Sequence, residues 1–157
     1  MCNKFSGLAF CAKPFMKKIA LLCFVLVVVL SACKKDLRTK IYPLRAYNNS
    51  GLTGQVSFIE TKDKDSTIVK LEAQGLMLNT VYLTHLHTGT PGNLTGTLIY
   101  FNNIQTSTGN VTHEEKWGET FDNALNSNTC FTMHNPAFFS NDTIGYVLAG
   151  NLGANAQ

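Results

Sequence analysis

Three of the four histidines in this chain are spaced as the ligands of a single metal ion would be. His85 and His87 are separated by one leucine, and alternate side chains of a β-strand project from the same face, about 7 Å apart at Cα. His134 ends a second candidate strand, just before an Asn-Pro turn. If the two strands are neighbours, the three imidazoles meet at one rim of a sheet. Neutral imidazole nitrogens suit zinc or copper, so His85, His87 and His134 are predicted metal ligands.

The residues around these histidines modify the predicted site. A Thr-Gly-Thr-Pro-Gly turn over 88–92 follows His87 directly, which places the histidine pair at a strand end, open to solvent. Cys130 shares a strand face with the third histidine and is a weaker candidate for a soft fourth ligand, which would favour copper. The alternative for this thiol is a small buried hydrophobic side chain. The fourth histidine, His113, stands beside two glutamates and is expected at a solvated polar edge.

The sequence carries no familiar pattern of catalytic residues. It has no Gly-rich phosphate loop, no Gly-x-Ser-x-Gly elbow and no Cys-x-x-Cys. Glu114, Glu115 and Glu119 crowd into one polar segment, unlike the two separated carboxylates of a glycosidase. A binding function is therefore expected rather than an enzymatic one, and no catalytic residue is assigned.

The elements that position the histidines are predicted strands, because apolar residues recur with a period of two. Val56 and Phe58 define one strand, and residues 69–73 define the next, with a charged hairpin turn over 62–66 between them. Further strands are predicted at 80–87, 96–101, 110–114, 129–134 and 144–149.

One segment has helical spacing instead, with Trp117, Phe121, Ala124 and Leu125 on one side of one or two helical turns. Short strands at this regular spacing are typical of sandwiches and barrels. The predicted fold is therefore all-β, an antiparallel Greek-key sandwich or barrel of about seven to eight strands with one short helical turn.

The beginning of the chain has the layout of a secretory signal peptide over residues 16–32. Two lysines follow Met16, and the apolar run Ile19–Leu30 is shorter than the ~20 residues of a membrane-spanning helix. The final Leu-Ser-Ala and Cys33 resemble the bacterial lipobox. That resemblance implies that Cys33 carries lipid such as palmitate and becomes the first residue of the mature protein. Residues 1–15 are then an upstream extension or the product of a mis-assigned start.

Removal of this leader changes the net charge and the cysteine count of the mature protein, and both bear on its function. Four lysines precede Cys33, so the net charge falls from +3 to −1. A basic surface for nucleic acid is therefore not expected. Cys130 is the one cysteine left beside the lipidated one, which excludes an intramolecular disulfide.

The predicted organisation is a tether over 33–44 and one domain over 45–157. A lysine, Lys34, follows the lipidated cysteine, and in this position the chain resembles lipoproteins that are sent to the outer membrane. We therefore expect a bacterial cell-envelope protein that faces the periplasm or the exterior, with the membrane as a partner through its lipid.

Several short motifs of this domain resemble the CHRD (chordin-type) family. An early Gly-x-hydrophobic strand lies at 53–58, a Gly-Leu pair at 75–76 and His-x-His-x-Gly at 85–89. A hydrophobic strand ending in histidine follows at 131–134, and a Gly-rich strand at 145–150. The resemblance covers most of the mature chain and implies a β-sandwich that acts as a non-enzymatic binding module.

The His-x-His pair is also similar to that of the copper/zinc superoxide dismutase family, where it supplies two copper ligands. That family would require a bridging histidine soon after the pair, and none occurs between His87 and His113. The two arginines, Arg38 and Arg45, lie near the beginning of the domain, and the disulfide cysteines of that family are absent. A divergent dismutase-like metalloenzyme and a purely structural or adhesive domain are the alternatives to the binding module.

Overall fold

Eight antiparallel strands form one curled sheet in the computed structural model, which describes residues 36–136 and 145–156. The strands are β1 (Thr39–Ala46), β2 (Thr53–Glu60), β3 (Thr67–Gln74), β4 (Leu83–Thr90), β5 (Asn93–Tyr100), β6 (Asn110–Trp117), β7 (Asn128–His134) and β8 (Tyr146–Gly153). One helix, α1 (Phe121–Asn126), precedes β7, and a 3-10 turn (Ala154–Ala156) follows β8. The predicted all-β fold with a short helical turn is confirmed.

The strand order is β5-β4-β7-β8-β1-β2-β3-β6, so β5 and β6 are the two edges of the sheet. The sheet curls into a half-barrel, and β1 joins its two halves. This strand pairs with β2 over 39–44 but with β8 only through Arg45 and Ala46. The predicted hairpin between β2 and β3 is present, with the charged turn at its tip.

The core fills the concave side of the half-barrel, because the predicted alternation holds in the structure. In β3, for example, Val69, Leu71 and Ala73 are buried while the residues between them are partly exposed. Leu86 of β4 and Met133 of β7 are fully buried in the same core. The side chains between those core residues must therefore project from the outer face of the sheet.

The first strand begins earlier than the sequence analysis placed the domain. Residues 39–44, predicted as the end of a tether, form most of β1. Pro43 argues against a central strand, since it has no N–H to donate to a ladder. Because residues 39–44 pair with β2 alone, the proline breaks no second ladder.

Helix α1 forms within the segment that was predicted to be helical, but it begins at Phe121. The prediction was wrong for Trp117, which is the last residue of strand β6. The Thr120 side chain caps it by accepting a hydrogen bond from the backbone N–H of Asn123, at 3.3 Å. Phe121 and Ala124 are buried, and the Arg38 guanidinium lies 4.7 Å from the centre of the Phe121 ring. The helix thus packs its apolar side onto the sheet.

The extension over 1–15, the signal peptide over 16–32 and the lipidation residue Cys33 all lie outside the described residues. Within the described parts, 36–136 and 145–156, no helix has the length and apolar character to cross a membrane.

Candidate metal site

Strands β4 and β7 are neighbours, and their register brings the three predicted ligands together. His85 lies opposite Thr132, and His134 lies opposite Leu83, so all three histidines project from the outer face of the sheet. One ligand atom from each of His85, His87 and His134 lies within 4.8 Å of the other two. Zinc and copper bind imidazole nitrogens at about 2.0–2.1 Å, which separates tetrahedral ligands by about 3.3 Å. Small side-chain rotations would bring these three nitrogens onto one ion.

The surroundings of the pair differ from the prediction. Strand β4 continues to Thr90, so His85 and His87 lie in its middle and not at its end. His87 is 7% exposed and His85 is half-buried, so the expected opening to solvent was wrong for His87. The strand continues because β5 keeps pairing with it through two register shifts, each leaving one extra residue in β5.

Two tyrosines flank the cluster and exclude water from part of it. The Tyr100 ring meets His85 edge-on, with 5.0 Å between ring centres. The Tyr146 ring lies 4.9 Å from that of His134. Tyr100 is 73% exposed, whereas Tyr146 is largely buried, so the cluster faces solvent on the Tyr100 side.

Hydrogen bonds fix the tautomer of His87. Its Nδ1 lies 3.2 Å from the carbonyl oxygen of Gly96 and 3.1 Å from the Thr97 hydroxyl. A carbonyl only accepts, so Nδ1 carries the hydrogen and Nε2 of the neutral ring carries the lone pair. This Nε2 is buried and makes no hydrogen bond to any described residue. An imidazole held in this way has its free lone pair ready for a metal ion.

The other two rings are held by different contacts. The Thr132 hydroxyl lies 3.0 Å from Nε2 of His134, on the same strand. His85 has ring contacts on three sides, with His87 and His134 each 5.3 Å away between ring centres and Tyr100 on the third. Every ring of the cluster is therefore positioned by a neighbour on β4, β5, β7 or β8.

Two rings of the cluster, those of His85 and His87, favour the neutral form. Burial, together with the positive charges that His134 and His87 could carry, lowers the pKa of His85 to about 4. Burial also lowers the pKa of His87, against the opposing effect of its hydrogen bond to Gly96. Neutral imidazole is the form that binds metal, so protons compete weakly for the nitrogens of His85 and His87.

The remaining sequence candidates lie elsewhere. Cys130 is fully buried opposite His87 on the same face, but it is not part of the three-histidine cluster. Burial raises the pKa of its thiol to about 11. His113 lies on the edge strand β6, where its Nε2 is 3.1 Å from a carboxylate oxygen of Glu115. His113 thus lies on an edge strand beside a carboxylate, as expected, but it is only partly exposed, and its ring also contacts the buried Phe101 ring, with 5.9 Å between ring centres.

Sequence reasoning did not identify the residues that support the histidines. Thr97, Tyr100 and Tyr146 lie on β5 and β8, the strands that follow β4 and β7 in the chain, and they reach the histidines through a strand register with shifts that the sequence pattern does not give. Only Thr132 could have been predicted from the sequence, because it stands two residues before His134 and therefore shares its strand face. Comparison with known proteins adds nothing to these contacts, because no protein-family model and no curated protein matches the chain.

Proposed function

We propose that this chain is a lipid-anchored protein of the bacterial cell envelope whose curled β-sheet domain binds copper or zinc through His85, His87 and His134. The observation that carries the proposal is Nε2 of His87, a buried lone pair within the histidine cluster. A buried polar atom without a hydrogen bond costs about 1–3 kcal/mol. A metal ion on this nitrogen would offset that cost.

The donor set favours borderline metals over hard ones. Three imidazoles within 4.8 Å offer nitrogen alone, and no carboxylate among the described residues belongs to the group. Calcium and magnesium require oxygen ligands, whereas zinc and copper accept imidazole. A coordination position on the Tyr100 side is left for water or for a partner's ligand.

We propose a binding module of CHRD type rather than an enzyme. The motifs that resemble that family fall on β2, on β4, on β7, on β8 and directly after β3. The cluster holds three imidazoles and, among the described residues, no carboxylate that could serve as a general base beside the metal.

Metal titration of the full chain, purified in detergent, tests the metal site. Calorimetry with Cu(II) and Zn(II) should show one site per chain for the parent protein. The double variant His85→Ala with His87→Ala should lose that site. His113→Ala is the matched control, because it removes the histidine that lies outside the cluster. Equal binding by the double variant and the parent would exclude the proposal.

The same copper-loaded sample distinguishes the alternatives. Superoxide turnover above that of free copper would favour a divergent dismutase over a binding module. If the parent protein binds no metal, a purely structural or adhesive domain becomes the favoured function.

The anchor needs a separate experiment in bacteria expressing the full chain. An alkynyl palmitate should label the parent protein, and Cys33→Ser should abolish the label. Cys23→Ser is the control, because Cys23 lies within the apolar run that is removed. A label that persists in Cys33→Ser would disprove lipidation at this residue.

A further inference from the structure

A cavity opens on the same outer face as the histidine cluster, at the point where β1 separates from β8. Its volume is about 410 Å³, within the range of small-ligand pockets. Thr132, which hydrogen-bonds His134, pairs with Ala149 of β8, and Ala149 pairs with Arg45 of β1. Neighbouring strands lie about 4.8 Å apart, so Arg45 starts roughly 10 Å from the Thr132 position.

The aromatic side chains connect the two places. Tyr47 lines the cavity, and its ring lies 6.1 Å from that of Tyr146 between ring centres. Tyr146 in turn contacts His134. The cavity and the cluster are thus adjacent sites, separated by the Tyr146 ring.

Arg45 is the only charged residue among the described residues that line the cavity. Its guanidinium makes no ion pair or hydrogen bond with any described residue. Arg38, the other arginine of the chain, donates to Glu60 and to Asp122. Arg45 therefore offers five unused N–H donors in a fork that matches a carboxylate.

The remaining lining combines apolar walls with a few hydrogen-bonding groups. Pro43, Pro91 and Ala156 supply apolar surface, while Asn151 and Thr90 supply polar atoms. A fully hydrated inorganic ion would gain little from the apolar walls. A small organic acid fits both parts of the lining, with a carboxylate on the guanidinium and its carbon skeleton against the apolar walls.

We propose that this cavity binds the carboxylate of a small organic ligand through the Arg45 guanidinium, with the carbon skeleton against the proline and tyrosine walls. The proposal goes beyond the metal site and does not require it. Two sources share this chemistry, a free organic acid and the terminal carboxylate of a peptide.

The two arginines make a direct test possible. In an NMR spectrum of the ¹⁵N-labelled full chain in detergent, the side-chain Nε–H groups of Arg38 and Arg45 are the only arginine signals. Titration with succinate should shift the Arg45 signal saturably and leave that of Arg38 in place, because Arg38 already holds two carboxylates. Succinamide, the neutral analogue, should shift neither signal.

Variants separate a specific site from general charge attraction. Arg45→Gln should weaken succinate binding at least tenfold, measured by the backbone signals of Asn151 and Thr90. Lys40→Gln removes the same charge from the same strand outside the cavity and should change nothing. A peptide with a free C-terminus that binds more tightly than succinate, and loses binding when amidated, would assign the peptide source.

Three results would overturn the proposal. One is the absence of a saturable Arg45 shift with either probe. Another is equal shifts of both arginines, which would indicate non-specific ion pairing. The third is unchanged affinity in Arg45→Gln. Each can occur whether or not His85 and His87 bind metal, so the two proposals fail independently.

Discussion

His87 and Cys130 lie directly opposite each other in the β4–β7 pair, both buried and both on the outer face of the sheet. The imidazole belongs to the histidine cluster and the thiol does not. Burial alone raises the pKa of the thiol to about 11, from an ordinary 9.0. In the described structure Cys130 is therefore a packing residue behind the cluster, in its neutral form.

Cys130 should react slowly with alkylating reagents in the folded protein. At pH 8 a pKa near 11 leaves about 100-fold less thiolate than the ordinary value does, and the thiolate is the reactive form. Iodoacetamide labelling, followed by mass spectrometry of the peptide that contains Cys130, should be at least that much slower than in urea. Rapid labelling of the folded chain would mean that the thiol is accessible and ionised.

Loss of the Thr132 hydroxyl should weaken metal binding without unfolding the protein. Thr132→Val removes the hydrogen bond to Nε2 of His134, and loss of such a supporting group typically reduces metal affinity 10–100-fold. Thr84→Val is the control, since the Thr84 hydroxyl is also buried but makes no hydrogen bond to a described residue. It should leave metal affinity unchanged and keep or raise Tm. Calorimetric titration with Zn(II) measures both variants, and equal affinities would show that Thr132 has no supporting role.

The sequence was sufficient to predict the fold class and the shared face of the histidines, because both depend on the period of two. It was not sufficient for β1, because Pro43 and the polar residues before it are typical of a loop. The central place of β1 depends on partners ten to twenty residues away in β2 and about a hundred away in β8.

The burial of His87 was also beyond local reasoning. It results from the register shifts that let β5 continue beside β4 and bring Gly96 and Thr97 to the imidazole. A glycine-rich segment normally predicts a turn and therefore the end of a strand. Here Gly89 lies inside strand β4 instead. Whether strand β4 ends before Gly89 or continues through it depends on its pairing with β5.

The ion pair between Arg38 and Glu60 should make stability depend on acid pH. Hydrogen bonding from Arg38 lowers the pKa of Glu60, whose side chain is 4% exposed. A carboxyl with a lowered pKa in the folded state stabilises above its unfolded pKa, and this contribution disappears as the pH falls through the folded pKa. Glu60→Gln should therefore lower Tm at pH 7 and flatten the decline of Tm towards pH 3.

A surface pair provides the control for that measurement. Lys116 and Asp65 are 3.8 Å apart, and both side chains are 63% exposed. Exposed pairs of this kind contribute little, so Lys116→Gln should leave Tm at pH 7 nearly unchanged. Equal effects of the two substitutions would show that the Arg38–Glu60 pair is no more than a surface contact.

Gly89→Ala should disturb the hairpin that holds His87 in place. Gly89 has a φ of +100°, and a Cβ there would clash with the backbone carbonyl of Asn93 across the turn. A residue forced into such a conformation costs about 1–3 kcal/mol, and the clash adds to this. Since β5 supplies both Nδ1 partners of His87, a displaced hairpin should also weaken Zn(II) binding. Gly96→Ala has no such clash and should be tolerated in both denaturant unfolding and metal titration. If Gly89→Ala unfolds at the parent's midpoint and binds Zn(II) equally well, the strand register of this hairpin is not what fixes His87.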